Sequence, residues 1–175
     1  MRVFVTGASG HMGSALVPEL LHSGHQVVGL ARSNSAAERL AALGAEAHRG
    51  DLDDLDGLGA AATAADGVIH LAFKHDLNDI AAAAVFDRNA VDAIGAALET
   101  TGKPFVETSG TLLLAPLALG RPGTEEDTSE VGPRVGAENA TVAMAGRGVR
   151  SSVVRLPPIV HSSLDHHGFA HVLIG

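Results

Sequence analysis

The sequence contains no cysteine, tryptophan or tyrosine, and it has only five phenylalanines in 175 residues. Without cysteine the chain can form no disulfide, thiol nucleophile or thiolate-bound zinc site. Because aromatic residues make up 3% of the chain, stacking platforms for single-stranded nucleic acid are not expected. A formal net charge of −8 also argues against a polyanion such as DNA, so no nucleic-acid partner is predicted.

Long apolar runs are missing too, since no stretch reaches the roughly 18 residues that a membrane span requires. The first residues have the pattern of a buried strand, without the basic start and cleavage site of a signal peptide. We therefore expect a soluble, cytoplasmic protein with no membrane partner. With 46% hydrophobic residues the chain can bury a substantial core, and its length suits one domain over residues 1–175.

Strand-like apolar runs alternate with helical patterns along the whole chain. This alternation predicts an α/β fold in which a doubly wound parallel sheet is covered by helices on both faces, giving three α/β/α layers. The acidic stretch 124–130 is predicted to be a solvated loop, with the lining of a substrate entrance as the less favoured alternative. The predicted strands are 3–6, 26–30, 45–48, 68–71, 105–108 and 152–156, and the predicted helices are 11–23, 33–43, 53–64, 78–100 and 135–146.

A glycine-rich turn joins the first strand to the first helix. Gly7 permits a tight turn, Gly10 lets the backbone approach a pyrophosphate, and Gly13 allows the helix to pack close to the sheet. The N–H groups of the first helical turn and the helix dipole favour phosphate. The motif predicts a dinucleotide site, and the alternative is a tight turn that binds nothing. The predicted cofactor contacts in this turn are Gly7, Ser9, Gly10, His11, Met12 and Gly13.

The GxxGxxG spacing after Thr6 resembles the short-chain dehydrogenase/reductase superfamily, in particular its NAD-dependent epimerase/dehydratase-like and atypical branch. Four further segments, each at the carboxyl end of a predicted strand, carry the resemblance over essentially the whole chain: 50–52, 70–72, 108–111 and 155–158. The resemblance implies a Rossmann fold and a nicotinamide cofactor. It places Asp51 and Leu52 at the adenine, Leu71 and Ala72 beside the ribose, Thr108 and Ser109 at the active site, and segment 157–160, with Pro157 and Ile159, near the nicotinamide. The alternatives are loop capping for Asp51 and strand-end packing for the others.

The end of the second predicted strand bears on the choice of cofactor. An NAD-selective site usually has an acidic residue there to accept the ribose hydroxyls. This chain instead has Arg32, whose forked guanidinium suits a phosphate, followed by the Ser33 hydroxyl. We therefore predict a preference for NADP, with NAD as the alternative cofactor. The alternative role for Arg32 is that of an arginine that only faces solvent.

The usual catalytic tyrosine and lysine of the superfamily are both missing. The matching segment has Arg134 at the tyrosine position and Glu138 at the lysine position, to within about one residue of register. Arginine is a poor proton donor at neutral pH. The family's serine position falls near Gly110, so the flanking Ser109 and Thr111 are the candidate catalytic hydroxyls. Glu138 is a candidate base, although an exposed position on the helix surface is favoured for it.

Histidines provide further candidates, because histidine titrates near neutral pH. His75 and His161 each follow a predicted strand and are candidate proton donors, although surface or capping roles are more common. His167 and His171 are four residues apart, as two metal ligands on one helix face would be. They lack a third ligand at a recognised spacing, so no metal site is predicted.

Two functions stay open at this point. The first is an NAD(P)-dependent oxidoreductase or epimerase/dehydratase-like enzyme that acts on a small carbonyl, alcohol or sugar-type substrate with non-standard catalytic residues. The second is a non-catalytic NAD(P)-binding sensor or regulatory protein. The resemblance also implies a C-terminal substrate lobe, which we expect to be absent or truncated in this chain. A homodimer through helices 78–100 and 135–146 is a candidate assembly, but packing within one chain explains their alanine-rich faces equally well.

Overall fold

Six parallel strands form a single sheet in the computed structural model, which describes residues 1–74 and 79–159. Their order across the sheet is β3-β2-β1-β4-β5-β6, which confirms the predicted doubly wound α/β fold. The central strand is fixed on both sides, because Val3 is in register with Val27 of one neighbour and Gly67 of the other. The strands are β1 (Arg2–Thr6), β2 (Gln26–Ala31), β3 (Glu46–Arg49), β4 (Gly67–His70), β5 (Pro104–Gly110) and β6 (Arg150–Leu156).

Five α-helices connect these strands, close to the predicted ranges. Ser33, Asp54 and Asp79 each accept a hydrogen bond from the backbone N–H three residues on, so their side chains begin the second, third and fourth helices. The predicted helix 135–146 ends as an α-helix at residue 143 and continues as a 3₁₀ turn, Met144–Arg147. No helix among residues 1–74 and 79–159 is both long and apolar enough to cross a membrane. The α-helices are α1 (His11–His22), α2 (Asn34–Ala42), α3 (Leu55–Ala64), α4 (Ile80–Leu98) and α5 (Val135–Ala143).

Two cores lie on opposite faces of the sheet. Because successive side chains of a strand point to opposite faces, Val3 and Val5 of β1 join one core while Phe4 joins the other. The first core contains residues of α1 and α2, and the second contains residues of α3, α4 and α5. This division gives the three predicted layers. It also places α5 on the same side of the sheet as α4.

The chain reverses its winding direction at β1, which has β2 on one side and β4 on the other. In open α/β sheets such a switch point leaves a crevice at the carboxyl ends of the strands, where ligands bind. The acidic stretch 124–130 forms a loop, as predicted. In this loop Asp127 accepts hydrogen bonds from both terminal nitrogens of Arg121, at 2.9 and 2.6 Å. The Arg121 guanidinium and the backbone N–H of Thr124 hold the pKa of Asp127 well below its ordinary range.

Candidate functional site

A cleft of about 760 Å³ opens at the switch point, beside the carboxyl ends of β1 to β4. This cleft is lined by most of the residues that were predicted to contact a cofactor. They come from four separate segments of the sequence. Leu30, Gly50, Phe73 and Lys74 also line the cleft without having been predicted. The predicted residues that the fold brings together here are Gly7, Ser9, Gly10, His11, Met12, Arg32, Asp51, Leu52, Leu71 and Ala72.

The other predicted cofactor contacts do not line this cleft. Gly13 is buried in the first turn of α1, where an added Cβ would lie 2.3 Å from the Ala8 carbonyl oxygen. The Ser33 hydroxyl accepts a hydrogen bond from the Ala36 N–H at 3.1 Å and so caps α2. Pro157 and Ile159 follow β6 and are exposed. A direct contact of these four residues with a cofactor stays a prediction.

The glycine-rich turn presents unsatisfied donors to the cleft. Gly7 has a φ of +68°, and an added Cβ would lie 2.8 Å from the Ala72 nitrogen, so only glycine fits this turn. Within the described part of the chain, no group accepts a hydrogen bond from the backbone N–H of His11, Met12 or Gly13. The first turn of α1 carries no acidic side chain. The unpaired donors of the cleft-lining His11 and Met12, together with the positive end of the helix dipole, therefore favour an anion at this position.

Cations surround the part of the cleft beside β2. Arg32 is exposed and makes no ion pair with a described residue. Arg49 lies next to it on β3, in register with Ala31, and donates hydrogen bonds to the Ser33 carbonyl and, at 3.0 Å, to the Asn34 side chain. No sequence motif pointed to Arg49, because only the β2–β3 register brings it here. No acidic residue occupies positions 30–33.

A chain of buried polar side chains runs away from the cleft wall. The hydroxyl oxygen of Thr6 accepts a hydrogen bond from the Ala72 N–H and lies 2.8 Å from Nδ1 of His70. Nε2 of His70 lies 3.1 Å from Oδ1 of Asp87, and Oδ2 of Asp87 accepts from Nε of Arg134 at 3.1 Å. These contacts link the start of the glycine-rich turn to the start of α5. Sequence reasoning missed Asp87, since it stands in an alanine-rich helical stretch without a motif.

Arg134 is the last member of this series of hydrogen-bonded side chains, and it occupies the N-cap position of α5. Its guanidinium carbon is 4.6 Å from the ring centroid of Phe73, a residue that lines the cleft. Its Nη2 is 3.9 Å from Oε1 of Glu107, which is too far for a hydrogen bond. The side chain is 19% exposed. A fixed cation, rather than a phenol, therefore occupies this place beside the cleft.

Glu107 is a fully buried carboxyl group in the middle of β5. Burial raises the pKa of Glu107 to about 7; the Thr141 hydroxyl opposes this shift, the Asp87 carboxylate adds to it, and Arg134 opposes it. Glu107 lies within the segment that the sequence presented as an apolar strand, so it was not singled out. The expectation of an exposed Glu138 was wrong. Glu138 is 3% exposed, because α5 packs it against β6, where it accepts from Nη2 of Arg155 at 2.6 Å.

The two candidate hydroxyls lie in different surroundings, and neither lines the nucleotide cleft. Ser109 is buried in β5 on the same face as Glu107, and its Oγ has no hydrogen-bond partner among the described residues. Thr111 is exposed and donates to the Leu156 carbonyl at 3.3 Å. It borders a second, smaller concavity of about 350 Å³. The catalytic roles of both residues stay predictions.

Several sequence-based candidates lie outside the described residues. They are His75 and His161 as proton donors, His167 and His171 as the weighed metal pair, and Val160 in the segment implied to lie near the nicotinamide.

Comparison with known proteins gives one family match and a set of similar structures. The NAD dependent epimerase/dehydratase family matches residues 3–135. An uncharacterized protein of Schizosaccharomyces pombe is 44% identical over 178 residues, covering 99% of this chain, and the chain spans 59% of that protein's length. The similar folds include UDP-glucose-4-epimerase from Stenotrophomonas maltophila, with bound NAD (TM-score 0.64, 20% identity, 89% of this chain and 52% of that one). They also include vestitone reductase from alfalfa (TM-score 0.66, 21% identity, 89% of this chain and 56% of that one).

Proposed function

Because the chain belongs to the NAD dependent epimerase/dehydratase family, we propose that its cleft binds a nicotinamide dinucleotide for hydride transfer to or from a small carbonyl, alcohol or sugar-type substrate. One observation carries the proposal: at the switch point, His11 and Met12 of the glycine-rich turn line the cleft, and their backbone N–H groups are unpaired among the described residues. No acidic side chain in the first turn of α1 opposes a pyrophosphate.

The cations beside β2 support NADP as the preferred cofactor. A 2′-phosphate would meet the guanidinium of Arg32, which has no competing carboxylate within the described structure. Arg49 adds a second positive charge on the adjacent strand and holds the Ser33–Asn34 backbone in place. An NAD-selective site would need an acceptor for the ribose hydroxyls, and positions 30–33 offer no acidic one.

A bound nicotinamide ring would supply or accept the hydride, and side chains of the protein would donate or accept the proton that is transferred with it. Ser109 is the hydroxyl we assign to the substrate oxygen, since it has no competing partner among the described residues. Glu107 lies two residues away on the same face of β5, and burial holds its pKa at about 7, which suits proton exchange at neutral pH. A serine acting with a buried carboxyl would thus replace the missing tyrosine and lysine.

The cofactor assignment is tested by calorimetric titration of NADPH and NADH into the chain and into Arg32→Ala. Removing one charge-assisted contact of about 1.5–3 kcal/mol should weaken NADPH binding by roughly ten- to hundredfold. NADH binding should stay within about twofold, since NADH lacks the phosphate. Arg39→Ala is the matched control, because Arg39 is exposed in the last turn of α2 and does not line the cleft. Equal loss for both cofactors would contradict the assignment, and no binding of either would refute the proposal.

A non-catalytic sensor is the second candidate function, favoured by the lack of the tyrosine–lysine pair. The two are separated by supplying NADPH with a panel of aldehydes, ketones and 2-oxo acids and following absorbance at the nicotinamide band. Oxidation of NADPH that depends on the carbonyl compound supports the enzyme. Cofactor that copurifies with the protein and is not turned over with any member of the panel supports the sensor.

A further inference from the structure

We propose that Arg134 binds the carboxylate of a small substrate beside the nucleotide cleft, so that the preferred substrates are carbonyl or hydroxyl compounds bearing a carboxylate. This inference rests on the proposed nicotinamide function, because it names the substrate class of the same site. It depends on how Arg134 is held, on the donors it has left, and on the charges around it.

The guanidinium of Arg134 is fixed before any ligand arrives. Its Nε and Nη2 donate to the two oxygens of Asp87, at 3.1 and 3.5 Å. Asp87 is itself 1% exposed and held by His70 at 3.1 Å. The ring of Phe73 packs against the guanidinium at 4.6 Å. A side chain restrained in this way loses little further conformational entropy when it binds a ligand, which is the advantage of a preorganised site.

Arg134 also has donors to spare. A guanidinium carries five N–H groups, and Asp87 occupies the edge formed by Nε and one hydrogen of Nη2. Within residues 1–74 and 79–159, Nη1 donates to no acceptor, and Glu107 is 3.9 Å from Nη2. Because 19% of the side chain is exposed, a small ligand has access to it.

Arg134 lies next to the cofactor site through its contact with Phe73. The guanidinium of Arg134 packs against the ring of Phe73. Phe73 lines the cleft and follows Leu71 and Ala72 in the sequence. A compound bound against Phe73 would therefore lie beside both the cleft and the guanidinium. Asp87 forms the ion pair with Arg134, and the neighbouring Glu107 is buried without a hydrogen-bonded cation. Among the described residues, no carboxylate other than Asp87 accepts a hydrogen bond from Arg134.

A carboxylate fits this cation better than a carbonyl oxygen. A guanidinium is charged throughout the reaction, so it selects groups that are already negative when the substrate binds. A carbonyl oxygen becomes negative only during hydride transfer and then needs a proton, which a guanidinium does not supply at neutral pH. Arg134 is therefore assigned to binding and orienting the substrate, and the proton is left to other groups.

The test compares matched pairs of probes on the chain saturated with NADP⁺, which cannot reduce the keto probes. Pyruvate is paired with 2,3-butanedione, and phenylpyruvate with 1-phenyl-2,3-butanedione, so that in each pair an acetyl group replaces the carboxylate. Dissociation constants come from ligand-observed NMR. In the parent chain at least one anion should bind at least tenfold more tightly than its neutral partner. Arg134→Gln should abolish that preference without changing the affinity for the neutral diketone or for NADP⁺, and Arg134→Lys should keep part of it.

Two further variants guard against misfolding of Arg134→Gln and against a long-range charge effect. Arg134→Gln leaves Asp87 buried without its cation, so the double variant Arg134→Gln with Asp87→Asn replaces it if the single variant fails to fold. Arg88→Gln is the control for long-range electrostatics, since Arg88 is half-exposed on α4 and donates to the Gly136 carbonyl of α5 at 2.9 Å. It should leave the anion preference within twofold of the parent.

The outcomes separate the two proposals. If the parent chain binds neither NADPH nor NADP⁺, the proposed function fails. If NADP⁺ binds but neither anion is preferred over its neutral partner, the role of Arg134 is refuted while the cofactor assignment stands. The role of Arg134 is likewise refuted if the folded Arg134→Gln chain, or the double variant, keeps the preference of the parent.

Discussion

Replacing Glu107 with glutamine should remove a pH dependence from the stability of the fold. The carboxyl of Glu107 is fully buried, and burial raises its pKa from an ordinary 4.5 to about 7. Between these two values the folded chain binds more protons at this position than the unfolded chain does. The free energy of unfolding therefore falls as the pH rises through this window, and the loss is nearly complete by about pH 8.5.

The size of the effect follows from the difference between the two pKa values. A shift of 2.5 pKa units, from 4.5 to about 7, corresponds to about 3 kcal/mol at about 1.4 kcal/mol per unit. About 2.5 kcal/mol of this loss in unfolding free energy occurs between about pH 5 and pH 8.5, because part of the carboxyl in the unfolded chain is already ionised at the lower limit. Glutamine has nearly the same shape and does not ionise, so the variant lacks this contribution at every pH.

Urea denaturation followed by far-ultraviolet circular dichroism measures the effect, because the chain has neither tryptophan nor tyrosine for fluorescence. The quantity to compare is the stability of Glu107→Gln minus that of the parent, which should rise by about 2.5 kcal/mol from about pH 5 to pH 8.5. The comparison cancels any pH-independent cost of the amide. Glu38→Gln, at an exposed position on α2, should give a flat difference. A flat difference for Glu107→Gln as well would show that its carboxyl is not held protonated by burial.

Three further substitutions test the local structure. Gly13→Ala places a Cβ 2.3 Å from the carbonyl oxygen of Ala8, so it should destabilise the chain by at least about 2 kcal/mol and lower its melting temperature. Gly59→Ala, in α3 with its nearest neighbour at 3.9 Å, should instead stabilise the chain by up to about 1 kcal/mol, and destabilisation here would contradict the packing of α3. Ser33→Ala removes the cap bonded to Ala36 and should cost about 1 kcal/mol in urea denaturation, whereas an unchanged midpoint would show that the cap contributes nothing.

The sequence was sufficient to predict the fold because each strand and helix carries a local signal. β1 is an apolar run that ends at a glycine, and α1 and α2 each end before a glycine with positive φ, Gly24 and Gly44. The same local signals bring most of the predicted cofactor contacts to one cleft, since parallel strands have their carboxyl ends at one edge of the sheet. Predicted ends differ from observed ones mainly where the backbone continues without apolar side chains, as in β6, whose first residues are Arg150 and Ser151.

The polar residues behind the cleft could not be predicted in this way. Asp87 and Glu107 stand in segments that also supply core residues, and nothing local distinguishes a buried carboxyl from an exposed one. Their burial follows from partners far along the chain, such as His70 and Arg134 for Asp87. Glu138 was misplaced on the surface for the same reason, because its partner Arg155 belongs to a different element. Position along one helix or strand does not reveal contacts that tertiary packing creates.

The shared use of Asp87 constrains how this protein can change over evolution. One carboxylate serves both His70 and Arg134, so a mutation at Asp87 would leave an imidazole and a guanidinium without their acceptor in a single step. Neither of those residues can easily be exchanged first, because each loss would leave the same carboxylate short of a donor. Lineages that descend from this chain should therefore keep the three residues as a set or replace them together, and intermediates with one exchange should be rare.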